Sequence, residues 1–96
     1  MEIKAAKDPD SVKDYSVDWT EWLKQSDDSI ASSQYFVDDA SLVIEDGNGH
    51  NDARTVVWLS GGVAGRKYRV TNRITTNSTP IARVEDRTFV IPVRHL

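Results

Sequence analysis

The sequence predicts an all-β fold of about seven short strands, a sandwich or a small barrel. Three observations carry the prediction. Apolar and polar residues alternate over short runs, most cleanly in KYRVTNRITT, where Tyr68, Val70 and Ile74 fall on one face and Arg69, Thr71, Arg73 and Thr75 on the other. Turn residues separate these runs, and no long stretch shows helical periodicity. The segment WLSGGVAGRKYRV joins a bulky apolar strand end to a small-residue bend, then to a tyrosine that opens the next strand. That is the layout of a corner in an immunoglobulin-like or fibronectin type III-like β-sandwich, where the tyrosine hydroxyl bonds backbone groups of the bend. Tyr68 is the residue placed for it.

The elements follow in chain order. Residues 1–10, MEIKAAKDPD, are polar, include Pro9 and show no sustained period, so they are expected to form a flexible amino-terminal arm that orders on contact. Residues 11–96 then make a single sandwich domain. Tyr15, Val17 and Trp19 alternate with Ser16 and Asp18, the period of a strand with one buried face running into a bend near Thr20–Leu23. The spacing of Trp19 and Trp22 equally suits one face of a helical turn. KQSDDSIASS supplies turn chemistry, after which Tyr35, Phe36 and Val37 form a β-prone run closed by Asp38 and Asp39. Leu42–Glu45 and Arg54–Leu59 read as a hairpin whose reversal uses Asp46-Gly47 and Asn48-Gly49 at positive φ. After the strand in KYRVTNRITT, NSTP turns the chain at Pro80. Phe89, Ile91 and Val93 then alternate against Thr88, Val90 and Pro92, where a proline marks an edge, a bulge or an early end.

A chain of 96 residues, 39% hydrophobic and 28% charged, has room for one small core and belongs among ordinary globular sequences. It contains no cysteine, which excludes disulfides, thiolate metal sites and cysteine nucleophiles. No apolar run approaches the roughly 18 residues of a membrane helix. The first fifteen residues lack the apolar centre of a signal peptide, so general secretory export is not expected. The net charge of −3 hides an asymmetry. Up to Asn48, twelve acidic residues face four lysines, giving −8; beyond it, seven arginines and Lys67 face three acidic residues, giving +5. The division fits solvated faces that neutralise each other within the fold. It also fits a head-to-tail surface suited to assembly between copies or with other proteins.

The motifs that suggest chemistry do not hold together. A phosphate loop needs GxGxxG or GxxxxGK[ST] before a helix, whereas Gly61, Gly62 and Gly65 match neither spacing and precede a strand. DGNGHND resembles a calcium loop, but an EF-hand requires Gly at its sixth position and Glu at its twelfth, where this chain has Asn51 and Val57. The two histidines, His50 and His95, form no zinc spacing, and no serine sits in a nucleophile elbow. Asp27-Asp28 and Asp38-Asp39 lie beside turns, where solvated carboxylates belong. Asn77-Ser78-Thr79 matches the glycosylation pattern, which is short enough to arise by chance. A pI near 5.2 argues against tracking phosphates, so the arginines point to a protein interface rather than nucleic acid. No cofactor, metal, small-molecule substrate, nucleic acid or membrane partner is expected. Of the tryptophans, Trp58 beside Leu59 is expected in the core, and Trp19 or Trp22 is left to anchor the arm or meet a partner.

DPDSVKDYSVDWTEWL, a β-rich middle, VVWLSGGVAGRKYRVTNRITT and a closing RTFVIPV together resemble small virion structural proteins of tailed bacteriophages, the phage fibre-tail adaptor-like family, over Asp8–Val93. The most specific pieces are the DYSVDW opening with its following WL, and the corner from Trp58 to Ile74. The resemblance implies an immunoglobulin-like sandwich with a virion structural role, no enzymatic activity and no catalytic residues. It also implies localisation in the virion, assembled in the host bacterial cytoplasm, with other virion proteins of the tail, fibre, portal region or capsid as partners in several copies. Two classes of function follow. One is an adaptor or connector that meets its partners through Arg66, Arg69, Arg73, Trp19 and Trp22. The alternative is a capsid decoration protein, or a carbohydrate or cell-surface binding module stacking sugars on exposed tryptophans.

Overall fold

The computed structural model describes residues 2–96. In chain order it contains β1 (Glu2–Ile3), β2 (Val12–Asp18), α1 (Thr20–Lys24), β3 (Ile30–Val37), β4 (Leu42–His50), β5 (Arg54–Gly61), β6 (Lys67–Thr76) and β7 (Val84–Pro92). The strands form two sheets, ordered β1-β7-β6-β3 and β2-β5-β4. All pairings are antiparallel except β1 with β7. The second, fifth and fourth strands thus share one sheet, and the third, sixth and seventh share the other. This is the partition of an immunoglobulin-type sandwich, and the predicted fold class holds.

Alternation along each strand builds the core. Tyr15 and Val17 of β2, Leu42 of β4, and Val57 and Leu59 of β5 are buried together with Tyr35, Tyr68, Val70, Ile74, Phe89 and Ile91 from the four-stranded sheet. The Phe89 ring lies 6.4 Å from both Tyr15 and Tyr35, edge-on to Tyr35. Between the sheets the buried Asn72 centres a polar network that includes buried Thr55 and Ser33. Its Oδ1 accepts from the Trp19 indole N–H at 2.9 Å and the Thr55 hydroxyl at 2.8 Å. Its Nδ2 donates to Ser33 Oγ at 2.9 Å and to the Gln34 carbonyl at 3.0 Å. All four bonding positions of the amide are therefore filled. Because the Thr55 proton goes to Asn72, the Tyr35 hydroxyl at 2.7 Å donates to Thr55. Burial pushes the Tyr35 phenol up to about 12.

The glycine-rich bend is a corner. Gly61 and Gly62 take φ of 72° and 95°, which other residues adopt only with strain. A Cβ on Gly62 would also stand 2.9 Å from Val93 Cγ2. The buried Tyr68 hydroxyl accepts the Val63 N–H at 2.8 Å and lies 2.6 Å from Ser41 Oγ, the structural duty predicted for it.

Residues 2–7 lie along β7. Lys4 N donates to Val90 O at 2.8 Å and Lys7 N to Pro92 O at 2.9 Å. The Lys7 side chain is buried, and its Nζ donates to the carbonyls of Asp8, Ser11 and Gly61 at 2.9, 2.6 and 2.8 Å. Three ammonium protons meet three carbonyl oxygens, which is how a lysine is accommodated in an interior. Desolvation still pulls its pKa below the usual lysine value, against the opposing pull of Asp8 and Asp10.

Two sequence expectations are corrected here. The reversal between β4 and β5 does not occur at the Asp46-Gly47 and Asn48-Gly49 pairs. β4 continues to His50, its pairing with β5 shifting between Ile44 and Asp46 and again between Asp46 and Gly49, so bulges absorb the extra residues. The turn is closed instead by Asn51, whose Oδ1 accepts the N–H groups of Ala53 and Arg54 at 2.9 and 2.8 Å. Gly49 serves close approach rather than a positive φ: a Cβ there would lie 2.8 Å from Val56 Cγ1. Trp58 is not core. It is 43% exposed, because Val57 and Leu59 on either side of it point inward.

Candidate functional site

Among the residues singled out from sequence, only Arg69 and Arg73 share a surface. The β6 pattern buries Tyr68, Val70, Asn72 and Ile74 and turns Lys67, Arg69, Thr71 and Arg73 outward. Arg69 and Arg73, four residues apart on one strand, stand about 13 Å from each other. Neighbouring strands complete the face through their register. Arg69 lies beside Val90 of β7, which lies beside Ile3 of β1. Thr71 lies between Phe36 of β3 and Thr88 of β7, its hydroxyl 2.8 Å from that of Thr88. Arg73 lies between Gln34 and Asp86.

The result is a face with exposed Phe36 at one edge strand and exposed Ile3 at the other, Thr71, Thr88 and Val90 between them, and cations on β6. The cations differ. Arg73 donates twice to Asp86, from Nε at 2.8 Å and from an Nη at 3.0 Å, and its guanidinium sits 5.2 Å from the Phe36 ring centre. These bonds hold the Asp86 carboxyl below the usual carboxylate range. Arg69 bonds through its backbone, its N–H reaching Asp38 Oδ1 at 3.1 Å. Among the described residues, the Arg69 and Lys67 side chains enter no ion pair. They are the cations of this face with charge left to offer.

The other three sequence candidates lie elsewhere. Arg66 is in the corner, its Nη1 2.7 Å from Asp39 Oδ2. Asp39 is held below the usual carboxylate range mainly by the Ser41 backbone and hydroxyl, with Arg66 adding to them. Trp19 is corrected from partner-binding to core: it is 1% exposed, and its indole N–H is spent on Asn72. Trp22 is half-buried, edge-on to Trp19 at 5.4 Å, with the Arg83 guanidinium 4.2 Å above its ring. The helical spacing decided the pair, since α1 begins right after Trp19. Arg87 is also structural, covering Trp19 at 4.4 Å and donating to the Asp18 carbonyl at 2.9 Å.

Sequence reasoning missed Phe36, although the alternation Tyr35 inward, Phe36 outward carried the signal. Asp8, Asp10 and His95 also come together, all within 4.8 Å. Both Asp8 oxygens already accept backbone N–H groups, from Asp10 at 2.8 Å and Leu96 at 2.9 Å, and this lowers its pKa, Leu96 contributing most. That cluster fastens the chain end to the residues before β2.

Comparison with known families settles the kinship of this sandwich. The family described as Podophage GP4 fiber-tail adaptor protein gp77 matches residues 7–92. The chain belongs to this family. The match runs from the buried Lys7 to the last residue of β7, so it covers β2 to β7 and the outward arginines of β6, but not β1. No curated protein matches the chain, and no solved structure does. As a member of the gp77 family it is a small all-β phage protein, with no catalytic constellation among its described residues.

Proposed function

We propose that this protein is a non-enzymatic structural component of a tailed-phage virion, an adaptor or connector that joins tail, fibre or head components through the outer face of its four-stranded sheet. The observation that carries the reading is the row of Arg69, Thr71 and Arg73 on a rigid strand, beside exposed Phe36 and Ile3. Family membership supports the adaptor role. An arginine with an unspent guanidinium on a sheet face that also exposes an aromatic ring is a common element of protein interfaces, since it pairs a carboxylate with two bonds while the ring is desolvated. Partners are other virion proteins carrying carboxylates opposite Arg69, and the protein acts in several copies after assembly in the host bacterial cytoplasm. Trp19 and Trp22 are engaged internally, so the sugar-stacking alternative is left to the exposed Trp58.

The test is particle incorporation. Arg69→Glu with Arg73→Glu leaves the isolated domain folded by circular dichroism and abolishes incorporation into particles. Normal incorporation of the folded double variant would remove this face from the interface.

A further inference from the structure

The outer face of the second sheet reverses the first in charge. Along β5 the outward residues are Arg54, Val56, Trp58 and Ser60, alternating with buried Thr55, Val57 and Leu59. Trp58 lies in register with Asp14 of β2 on one side and Asp46 of β4 on the other. Directly opposed residues of an antiparallel pair project to the same side, so the indole stands between two carboxylates, both exposed. Glu45 adds a third, accepting the Ser60 hydroxyl at 3.2 Å. Exposed Val12 and Val43 flank Ser60 and extend the apolar surface beside Trp58. The cations of these strands are diverted. Arg54 pairs with Asp18 at 3.3 Å at the end of the face, and Lys13 turns toward the Tyr15 ring.

We propose that this Trp58-centred acidic face binds the arginine face of a second copy of the chain, so that copies stack front to back. The assignment rests on the arginine face being an interface and names what it meets. Charge complementarity selects the occupant. Among the described residues Arg69 and Lys67 have no ion pair, while Asp14 and Asp46 surround an apolar ring on the opposite side of the sandwich. Front-to-front or back-to-back pairing sets like charges together, which is costly at a desolvated contact. Front-to-back pairing places guanidinium groups over an indole and between carboxylates, where cation–π attraction and bidentate bonding act together. The two faces lie on opposite sides of one rigid domain, so the contact is heterologous. It closes into a ring or continues as a chain according to the rotation between copies.

The experiment is sedimentation of the full chain and two single-face variants at low salt. The unmodified protein associates with rising concentration. Trp58→Ala with Asp46→Lys spoils the back face, and Arg69→Glu with Arg73→Glu spoils the front; each weakens association about ten-fold or more. Mixing the two variants restores a complex that stops at one of each, because each brings one intact face. Asp14→Lys with Asp46→Lys, which keeps Trp58, serves as a second back-face variant and behaves alike. The proposal is overturned if the unmodified protein stays monomeric to about 1 mM, if the folded back-face variants associate as it does, or if the mixture forms no complex. It is equally overturned if Trp58 fluorescence responds to host polysaccharide while the protein remains monomeric. None of these results touches the particle-incorporation readout, so the adaptor reading stands or falls separately.

Discussion

The two faces of β6 carry unlike duties one residue apart. Tyr68, Val70, Asn72 and Ile74 point into the sandwich and are almost without solvent contact, whereas Arg69, Thr71 and Arg73 point away from it. Inward, every polar atom is matched: the Asn72 amide has four partners and the Tyr68 hydroxyl two. Outward, Arg73 is matched by Asp86 and Arg69 has no side-chain partner within the described chain. A buried polar group without a partner costs far more than an exposed one. The inward face is therefore complete in the isolated protein, while on the outward face the exposed Arg69 guanidinium is left to water.

This contrast can be broken by substitution. The largest effect is expected for Asn72→Ala, which strands the Trp19 N–H, the Thr55 and Ser33 hydroxyls and the Gln34 carbonyl. A loss of about 3 kcal/mol or more, seen as a melting temperature lower by about 12 °C or more, should appear in thermal circular dichroism. A loss below about 1 kcal/mol would show that the network rearranges at little cost. Tyr68→Phe comes next. It removes the acceptor for Val63 N and the partner of Ser41, and should cost about 1–3 kcal/mol by chemical denaturation with an unchanged m-value.

A pH series sharpens the same point for Tyr35. Its folded phenol titrates at about 12, above the ordinary value of 10.0. The unfolded chain therefore loses this proton first, and the stability associated with it is lost as pH rises through the window between the two values. Near pH 11 the loss is about 1 kcal/mol, and Tyr35→Phe should remove that part of the alkaline destabilisation. The smallest effect on stability belongs to the outward pair. Arg69→Glu with Arg73→Glu gives up an exposed ion pair and a solvated contact with the Phe36 ring, both of which contribute little at a surface, yet this variant is expected to lose assembly. If it unfolded instead, the division between the two faces of β6 would fail.

Much of this was legible before any fold was built. Strict alternation in KYRVTNRITT placed Arg69 and Arg73 outward, and the corner sequence identified Tyr68 as the residue bonding the bend. The tryptophans were not legible, for a specific reason. In β5, Val57 and Leu59 occupy one parity while Val56 and Trp58 occupy the other, so both faces are apolar and the period alone does not say which is inside. The turn after β4 was obscured by its two bulges, since glycines next to Asp and Asn signal a reversal whether they bend the chain or make room for a neighbour. Of the five partner-binding candidates, Trp19 proved to be core, because its indole N–H reaches an amide 53 residues away in sequence.

By itself the sequence determined the strand periods, the glycine corner, the division of charge along the chain and the kinship with a phage structural family. Those properties are local, set by φ preferences, side-chain alternation and short motifs. Only the tertiary structure decided which face of β5 meets water, that Asn72 sits at the centre of a satisfied network, that residues 2–7 lie along β7, and that Trp58 stands between Asp14 and Asp46 on the face opposite Arg69 and Arg73. Each of these depends on the register between strands far apart in sequence. Register follows from the packing of both sheets at once, not from any one segment.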